Sequence, residues 1–202
     1  MRPGAPKLNL VLVAGEEQFI MFNCRQTRNG VAKPDYATAS DFSRIFQEDQ
    51  SSLYLLAFLL TANHQQAEDC LVGGIEDAGN GNPVFKAWAR SWTKRTLIKN
   101  AIQLVFWTNG TSHQQPDRWS KNESEAGELI DAVTALPRLE RFSFVMSVLE
   151  RYSDSECSAL LGCRLEDVRR ARENALQQLA PLRPEAFIPE LMSFNSVLAA
   201  RD

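Results

Sequence analysis

No apolar run in this 202-residue sequence approaches the roughly 18 residues that a membrane span requires. The longest candidate, residues 53–60, is short and is interrupted by Tyr54. A secretory leader is lacking too: Arg2 and Lys7 precede an apolar stretch at 8–14, but Glu16 and Glu17 end it too early. A cytoplasmic protein with no membrane span is expected. Histidine is scarce, with His64 and His113 standing alone. The four cysteines, Cys24, Cys70, Cys157 and Cys163, show no Cys-x-x-Cys spacing and no nearby histidine pair. A zinc site needs about four N or S ligands that converge. No metal site is expected, and the thiols read as free and buried.

Catalytic signatures are missing as well. There is no Gly-rich phosphate loop, no Gly-x-Ser-x-Gly and no His-Glu-x-x-His. Gly73-Gly74 and Gly79-Asn80-Gly81 lack the strand before, the helix after and the lysine of a phosphate cradle. Glu166-Asp167 is an adjacent pair, so on a helix the two carboxylates point apart and cannot grip one substrate. A non-enzyme with no cofactor is expected.

Hydrophobic residues make up 44% and charged residues 23%, which suits a soluble globular chain. The length suits one large domain or two small ones. Net charge is −3, which argues against nonspecific coating of nucleic acid, a process driven by basic surplus. Local charge is therefore the informative quantity.

Residues 1–37 carry two apolar stretches, 8–13 and 18–22, that suit short strands, punctuated by Gly15, Asn29-Gly30 and Pro34-Asp35. An arm or small hairpin is expected there. Ser40 or Asp41 then caps a helix that Phe42, Ile45, Phe46, Leu53, Leu56, Ala57 and Leu60 carry to about Asn63. A short second helix at 66–75 runs into Gly73-Gly74, and residues 77–83 form a turn. Pro83 opens a third helix that runs to about Trp107. Residues 108–124 are polar and turn-rich and read as a linker. Four helices follow at about 125–136, 138–151, 153–161 and 165–179, separated at Pro137, Ser153 and Gly162. A tail at 182–202 has one further amphipathic stretch at 185–199. The expected fold is all-α: two small helical domains, 38–107 and 125–181, joined by that linker.

The strongest local signal lies at 153–179. Ser153 caps one helix, and Glu156 at its third position completes a capping box. Cys157, Leu160 and Leu161 supply the buried side. Gly162 permits the positive φ of a sharp turn. Leu165 and Val168 hold the second helix against the first, leaving Arg164, Arg169, Arg170 and Arg172 outside. A second helix presented in this way fits the DNA major groove. An ordinary helical hairpin with exposed arginines would look similar.

A second signal lies at 83–107, where Lys86, Arg90, Lys94, Arg95 and Lys99 occur with no acid. Lys86, Arg90 and Lys94 are spaced by four and share a face. Trp88 and Trp92, also four apart, suit either a core stripe or a stacking surface for bases. Cations beside exposed aromatics fit a single DNA strand, because cations track phosphates while rings stack on bases.

Leu136-Pro137, Arg141, the run Phe142-Ser143-Phe144-Val145-Met146, Tyr152-Ser153, Glu156 and Leu161-Gly162 together resemble the C-terminal domain of extracytoplasmic-function sigma factors, of the sigma-70 family of RNA polymerase factors. Asp41-Phe42 through Leu60, the Ala67-Glu68-Asp69 step and Asn100 resemble the N-terminal domain of the same family. The resemblance implies a transcription initiation factor that binds core RNA polymerase through Glu68 and Asp69. It implies that Lys94, Arg95, Lys99, Trp88 and Trp92 meet the melted promoter strand, and that Arg164, Arg169 and Arg170, with Arg172 beside them, meet the upstream duplex. An anti-sigma protein is a further implied partner. The sequence departs from the family in two places. Val72-Gly73 stands where a Gln-Glu pair is usual, and residues 125–180 hold seven basic against ten acidic residues, a balance of −3. Two alternatives follow: a sigma mimic that occupies an anti-sigma protein without reading DNA, or a conventional helix-turn-helix regulator.

Overall fold

Thr38, ahead of the expected cap at Ser40 or Asp41, caps the first helix. Its hydroxyl accepts from Asp41 N–H while the Asp41 carboxylate takes the Thr38 N–H at 2.9 Å, a reciprocal capping box one turn ahead of the apolar stripe. The computed structural model describes residues 35–81, 83–107, 116–119 and 125–182. The strands expected at 8–13 and 18–22, most of the linker and the helix expected at 185–199 lie outside the described residues.

Eight α-helices occur among the described residues, and no strand does; an isolated bridge joins Tyr36 to Phe85. α1 (Ala39–Glu48) is followed after one residue by α2 (Gln50–Thr61), so the single helix expected over 40–63 is two. Asp49 makes the break. Its N–H closes α1 on the Ile45 carbonyl, and its carbonyl opens α2 by accepting from Leu53. α2 ends at Ala62 in the left-handed region (φ 57°), and the Asn63 side chain caps α3 (His64–Asn80). α3 continues five residues past the expected end at 75. Gly73 and Gly74 do not break it because they are there for close packing. A Cβ on Gly74 would stand 3.4 Å from the Phe46 ring, and one on Gly73 would stand 3.3 Å from the Asn100 amide. A 3-10 turn, Lys86–Trp88, precedes α4 (Ala89–Ile102), which runs on as a π turn over Gln103–Trp107. The helix expected from Pro83 therefore begins at Ala89.

α5 (Glu125–Ala135), α6 (Arg138–Phe144) with its π turn Val145–Leu149, α7 (Asp154–Leu161) and α8 (Leu165–Leu179) follow the expected spans within a residue or two, apart from the end of α6. A 3-10 turn, Ala180–Leu182, closes the described chain.

All described residues fall in one compact unit. Its core runs without interruption from Phe42, Phe46 and Leu97 through Phe58 and Leu60 to Phe142, Met146 and Leu179. α2 is the centre of this core. Residues 55–61 are all buried, a distribution possible only for a helix packed on every side. α3 and α4 take one side, and α5, α6 and the π turn after it take another. Phe106 packs edge-on against Phe142 across this junction, centroids 5.1 Å apart.

Residues 116–119 are sewn onto the same assembly. The Asp117 carboxylate accepts from His64 N–H (2.9 Å) and from the Asn63 amide (3.0 Å) at the α3 N-terminus, where a negative charge meets the positive end of the helix dipole. Trp119 packs against Phe58 (5.0 Å) and Tyr54 (6.0 Å), and its N–H donates to Asp131 of α5. His64 Nε2 faces the Arg118 carbonyl at 3.2 Å, which can only accept. Nε2 therefore donates there, and Nδ1 is hydrogen-bonded with the Tyr54 hydroxyl at 2.7 Å.

Candidate nucleic-acid interface

The α7–α8 pair is built as its residues dictate. The Ser153 hydroxyl accepts from Glu156 N–H, and the Glu156 carboxylate takes the Ser153 N–H at 2.8 Å. The Ser153 hydroxyl also donates to the Glu156 carboxylate at 2.6 Å; that bond, with the one from the Ser153 N–H, holds the Glu156 carboxyl below its ordinary value, and the positive charge of Arg95 adds to the effect. Gly162 adopts φ 64°, in the left-handed region that turns the chain between the helices. Cys157 of α7 and Val168 of α8 are fully buried, while Leu160, Leu161 and Leu165 are half-buried. The Ser158 hydroxyl donates to the Cys163 carbonyl at 2.6 Å, closing the turn from the side.

The four arginines of this region do not share one environment. Asp154, the first residue of α7, takes Arg169 Nε at 3.0 Å and also the Arg172 guanidinium. The hydrogen bond from Arg169, with Arg172 behind it, holds the Asp154 carboxyl below its ordinary value. Those two arginines therefore clamp α8 to α7. Arg164, at the N-cap of α8, and Arg170 are exposed, and no ion pair engages either among the described residues. Glu166 is exposed in the first turn of the same helix.

The basic helix changes character in three dimensions. Its sequence is free of acids, but acids from other elements answer its cations. Lys86 pairs with Asp35 (3.2 Å) and Asp41 (3.7 Å), and Arg90 pairs with Glu48 and Asp49. Lys94 reaches both oxygens of Glu150 at 2.8 and 3.1 Å. Burial raises the Tyr152 hydroxyl; the positive charge of Arg95 acts against that rise and also lowers the Glu156 carboxyl. Lys99 is half-buried and engaged.

The two tryptophans part company. Trp92 is half-buried against the core, whereas Trp88 is 64% exposed. The 3-10 turn at 86–88 shifts the phase, so four-residue spacing no longer places the two rings on one face. Trp88 belongs to a surface ladder that sequence reasoning missed. Tyr36 stacks on Phe85 with centroids 5.0 Å apart and planes 17° apart, and Phe85 meets Trp88 edge-on at 5.2 Å. All three rings are exposed. Tyr36 and Phe85 are brought together by an isolated antiparallel bridge, a pairing that no local pattern announces.

Glu68 and Asp69 lie exposed on α3, which also bears Glu76 and Asp77 and has no lysine or arginine. Val72 and Ile75 are exposed between these two acidic pairs. An open groove of about 750 Å³ runs between α3 and the end of α4, lined by Asp69, Gly73, Asn100, Gln103, Leu104 and Trp107.

Cys70 and Cys157 are buried free thiols, and burial pushes them up to about 12 and about 11, so neither is a nucleophile near neutrality. Cys24 and His113 lie outside the described residues. No three His, Cys, Asp or Glu residues converge on a metal position among the described residues. No helix described is long and apolar enough to cross a membrane. No protein-family model matches the chain, and no curated protein matches it.

Proposed function

We propose that the chain is a sigma-like transcription initiation factor that docks on core RNA polymerase and uses its α7–α8 helix-turn-helix to contact promoter DNA. The observation that carries this reading is the α7–α8 pair itself. It combines a reciprocal capping box, a left-handed glycine turn, a buried inner face at Cys157 and Val168, and two exposed arginines without acidic partners among the described residues, one at the N-cap and one in the second turn of the second helix. Arg164 and Arg170 are the residues that face DNA in this reading. Arg169 and Arg172 act through Asp154 to hold the helix at its angle. The acidic, apolar-centred surface of α3, with Glu68 and Asp69 beside the groove, serves as the polymerase-docking surface. The Tyr36–Phe85–Trp88 ladder supplies rings on which unpaired bases stack.

The test is promoter binding by the full chain with and without core polymerase over a salt series. Binding that needs polymerase and weakens steeply with salt supports the reading. Sequence-blind binding that survives high salt contradicts it.

A second reading has its own observation. Lys86, Arg90 and Lys94 are each neutralised by carboxylates of the same chain, which suits a sigma mimic that presents this fold to an anti-sigma protein and leaves DNA alone. Tight capture of such a partner with no polymerase association favours the mimic.

A further inference from the structure

Two described residues other than glycine hold a left-handed backbone, Ala62 (φ 57°) and Arg151 (φ 58°). The fold accounts for the first. Ala62 is buried, its N–H closes α2 on the Phe58 carbonyl, and its own carbonyl accepts from Asp117 N–H at 3.0 Å. Arg151 is different. Its neighbours fix the backbone: Glu150 N–H donates to the Val145 carbonyl at 3.0 Å and Tyr152 N–H to the Met146 carbonyl at 2.9 Å, which ends the π turn after α6. The Arg151 side chain takes no part in this. It is exposed, and among the described residues no ion pair engages it.

A left-handed residue at such a helix end is glycine by preference, because a Cβ there crowds the following carbonyl. Gly162 fills that position at the end of α7. At 151 the chain instead keeps a long cationic side chain where the backbone favours none. Strain borne by an exposed side chain with no partner in the fold points to a use outside the fold.

Charge and position say what that use is. The carboxylates nearest in sequence are all engaged: Glu150 by Lys94, Asp154 by Arg169 and Arg172, and Glu156 by Ser153. Arg151 is thus a cation left to meet an outside anion. It stands just ahead of Asp154, the residue that ties the start of α7 to α8. When the second helix of a helix-turn-helix enters the major groove, the first crosses the sugar–phosphate backbone. The start of α7 then borders a phosphate strand.

We infer that Arg151 is a phosphate-binding residue that sets how α7–α8 sits on duplex DNA and carries no base preference of its own. This rests on the reading of α7–α8 as the DNA-contacting pair. Arg164 and Arg170 reach the groove from α8, while Arg151 grips the strand beside it, and phosphate contacts of this kind fix register without reading sequence.

The experiment uses the full chain bound to core polymerase and two fluorescent duplexes, one selected from a random pool by the native complex and one a scrambled counterpart. Arg151→Gly removes the cation and relieves the backbone, whereas Arg151→Lys keeps the charge. Binding is measured from about 50 to 200 mM salt, and urea unfolding is followed on the free chains. The inference expects Arg151→Gly to unfold at a urea midpoint equal to or above the native one, yet to bind both duplexes more weakly by the same factor. Its log–log salt slope is shallower by about 0.9, so its deficit shrinks roughly threefold across that salt range. Arg151→Lys keeps the native slope. An Arg151→Gly chain with native affinity and slope overturns the inference and leaves the reading of α7–α8 standing. One that unfolds earlier than the native chain overturns it too, because the arginine is then structural. A deficit confined to the selected duplex overturns it, since Arg151 then reads bases. A native complex that selects no duplex overturns the reading beneath the inference, and the inference with it.

Discussion

Replacing Arg141 with methionine tests how the core is closed. The residue is 7% exposed, yet no carboxylate among the described residues pairs with it. Its guanidinium donates instead to the carbonyls of Leu60 (3.0 Å), Thr134 (2.9 Å) and Leu136 (3.4 Å). Leu60 lies in the last turn of α2 and Thr134 in the last turn of α5, so two helix C-termini, with their orphan carbonyls and negative dipole ends, converge on one cation. That explains how a charge is tolerated there without a salt bridge. Burial, with a smaller effect from Arg138, lowers Arg141 to about 10, so it remains a cation at neutral pH. Hydrogen bonds to a charged donor contribute about 1.5–3 kcal/mol each, and a buried carbonyl left unpaired costs about 1–3 kcal/mol. Methionine fills the stem and spares the desolvated charge, which offsets part of this loss. The net expectation is a destabilisation of about 3 kcal/mol, a fall in Tm of roughly 6–12 °C for a chain of this size. Arg141→Lys recovers only part of it, because an ammonium cannot present the planar fork that reaches three carbonyls. Urea and thermal unfolding followed by circular dichroism give the answer. A loss below about 1 kcal/mol for methionine refutes the reasoning.

Three further outcomes follow from the same geometry. Gly162→Ala puts a Cβ on a residue at φ 64° with no atom within 4 Å, so its cost is backbone strain alone, about 1 kcal/mol by urea unfolding; a loss of 3 kcal/mol would mean a packing clash that the structure does not contain. Glu156 has a folded-state pKa below its ordinary 4.5, so the stability it contributes is present above about pH 4.5 and lost as pH falls through the folded value. The urea midpoint of the native chain should drop in that acidic window more than that of Glu156→Gln, and parallel curves would contradict the capping assignment. Arg170→Ala should weaken binding to duplex DNA and flatten its salt slope by about 1 while leaving Tm unchanged, whereas Arg169→Ala, which breaks the clamp on Asp154, should lower Tm. Equal effects on Tm would erase the distinction drawn between the two arginines.

The boundaries of α5, α7 and α8 were legible because Pro137, Ser153 and Gly162 punctuate them with chemistry that acts locally. The Asp49 break was not, since nothing but a single aspartate marks it, and α1 and α2 keep one apolar rhythm across it. Gly73 and Gly74 misled in the other direction. A glycine pair inside a helix costs about 1 kcal/mol per residue and reads as a stop. Here that cost is offset by bringing α3 close to Phe46, Leu97 and Asn100. The region at 53–60 did carry a signal for its central position: it is apolar on all sides, so it needs partners on all sides. The candidate site was legible as residue types but not as charges in balance. Asp49 and Glu150 lie 41 and 56 residues from the cations they meet, and only the fold brings those distances down to an ion pair.

The central claim is that α3 docks this chain on core RNA polymerase. Its most direct test is a pull-down with purified core enzyme, comparing the native chain with the double substitution Glu68→Ala and Asp69→Ala. Both residues are exposed, so the substitutions leave the core intact. The account predicts that the native chain is retained and that the double variant, with unchanged circular dichroism, is lost. A native chain that passes through unretained contradicts the claim.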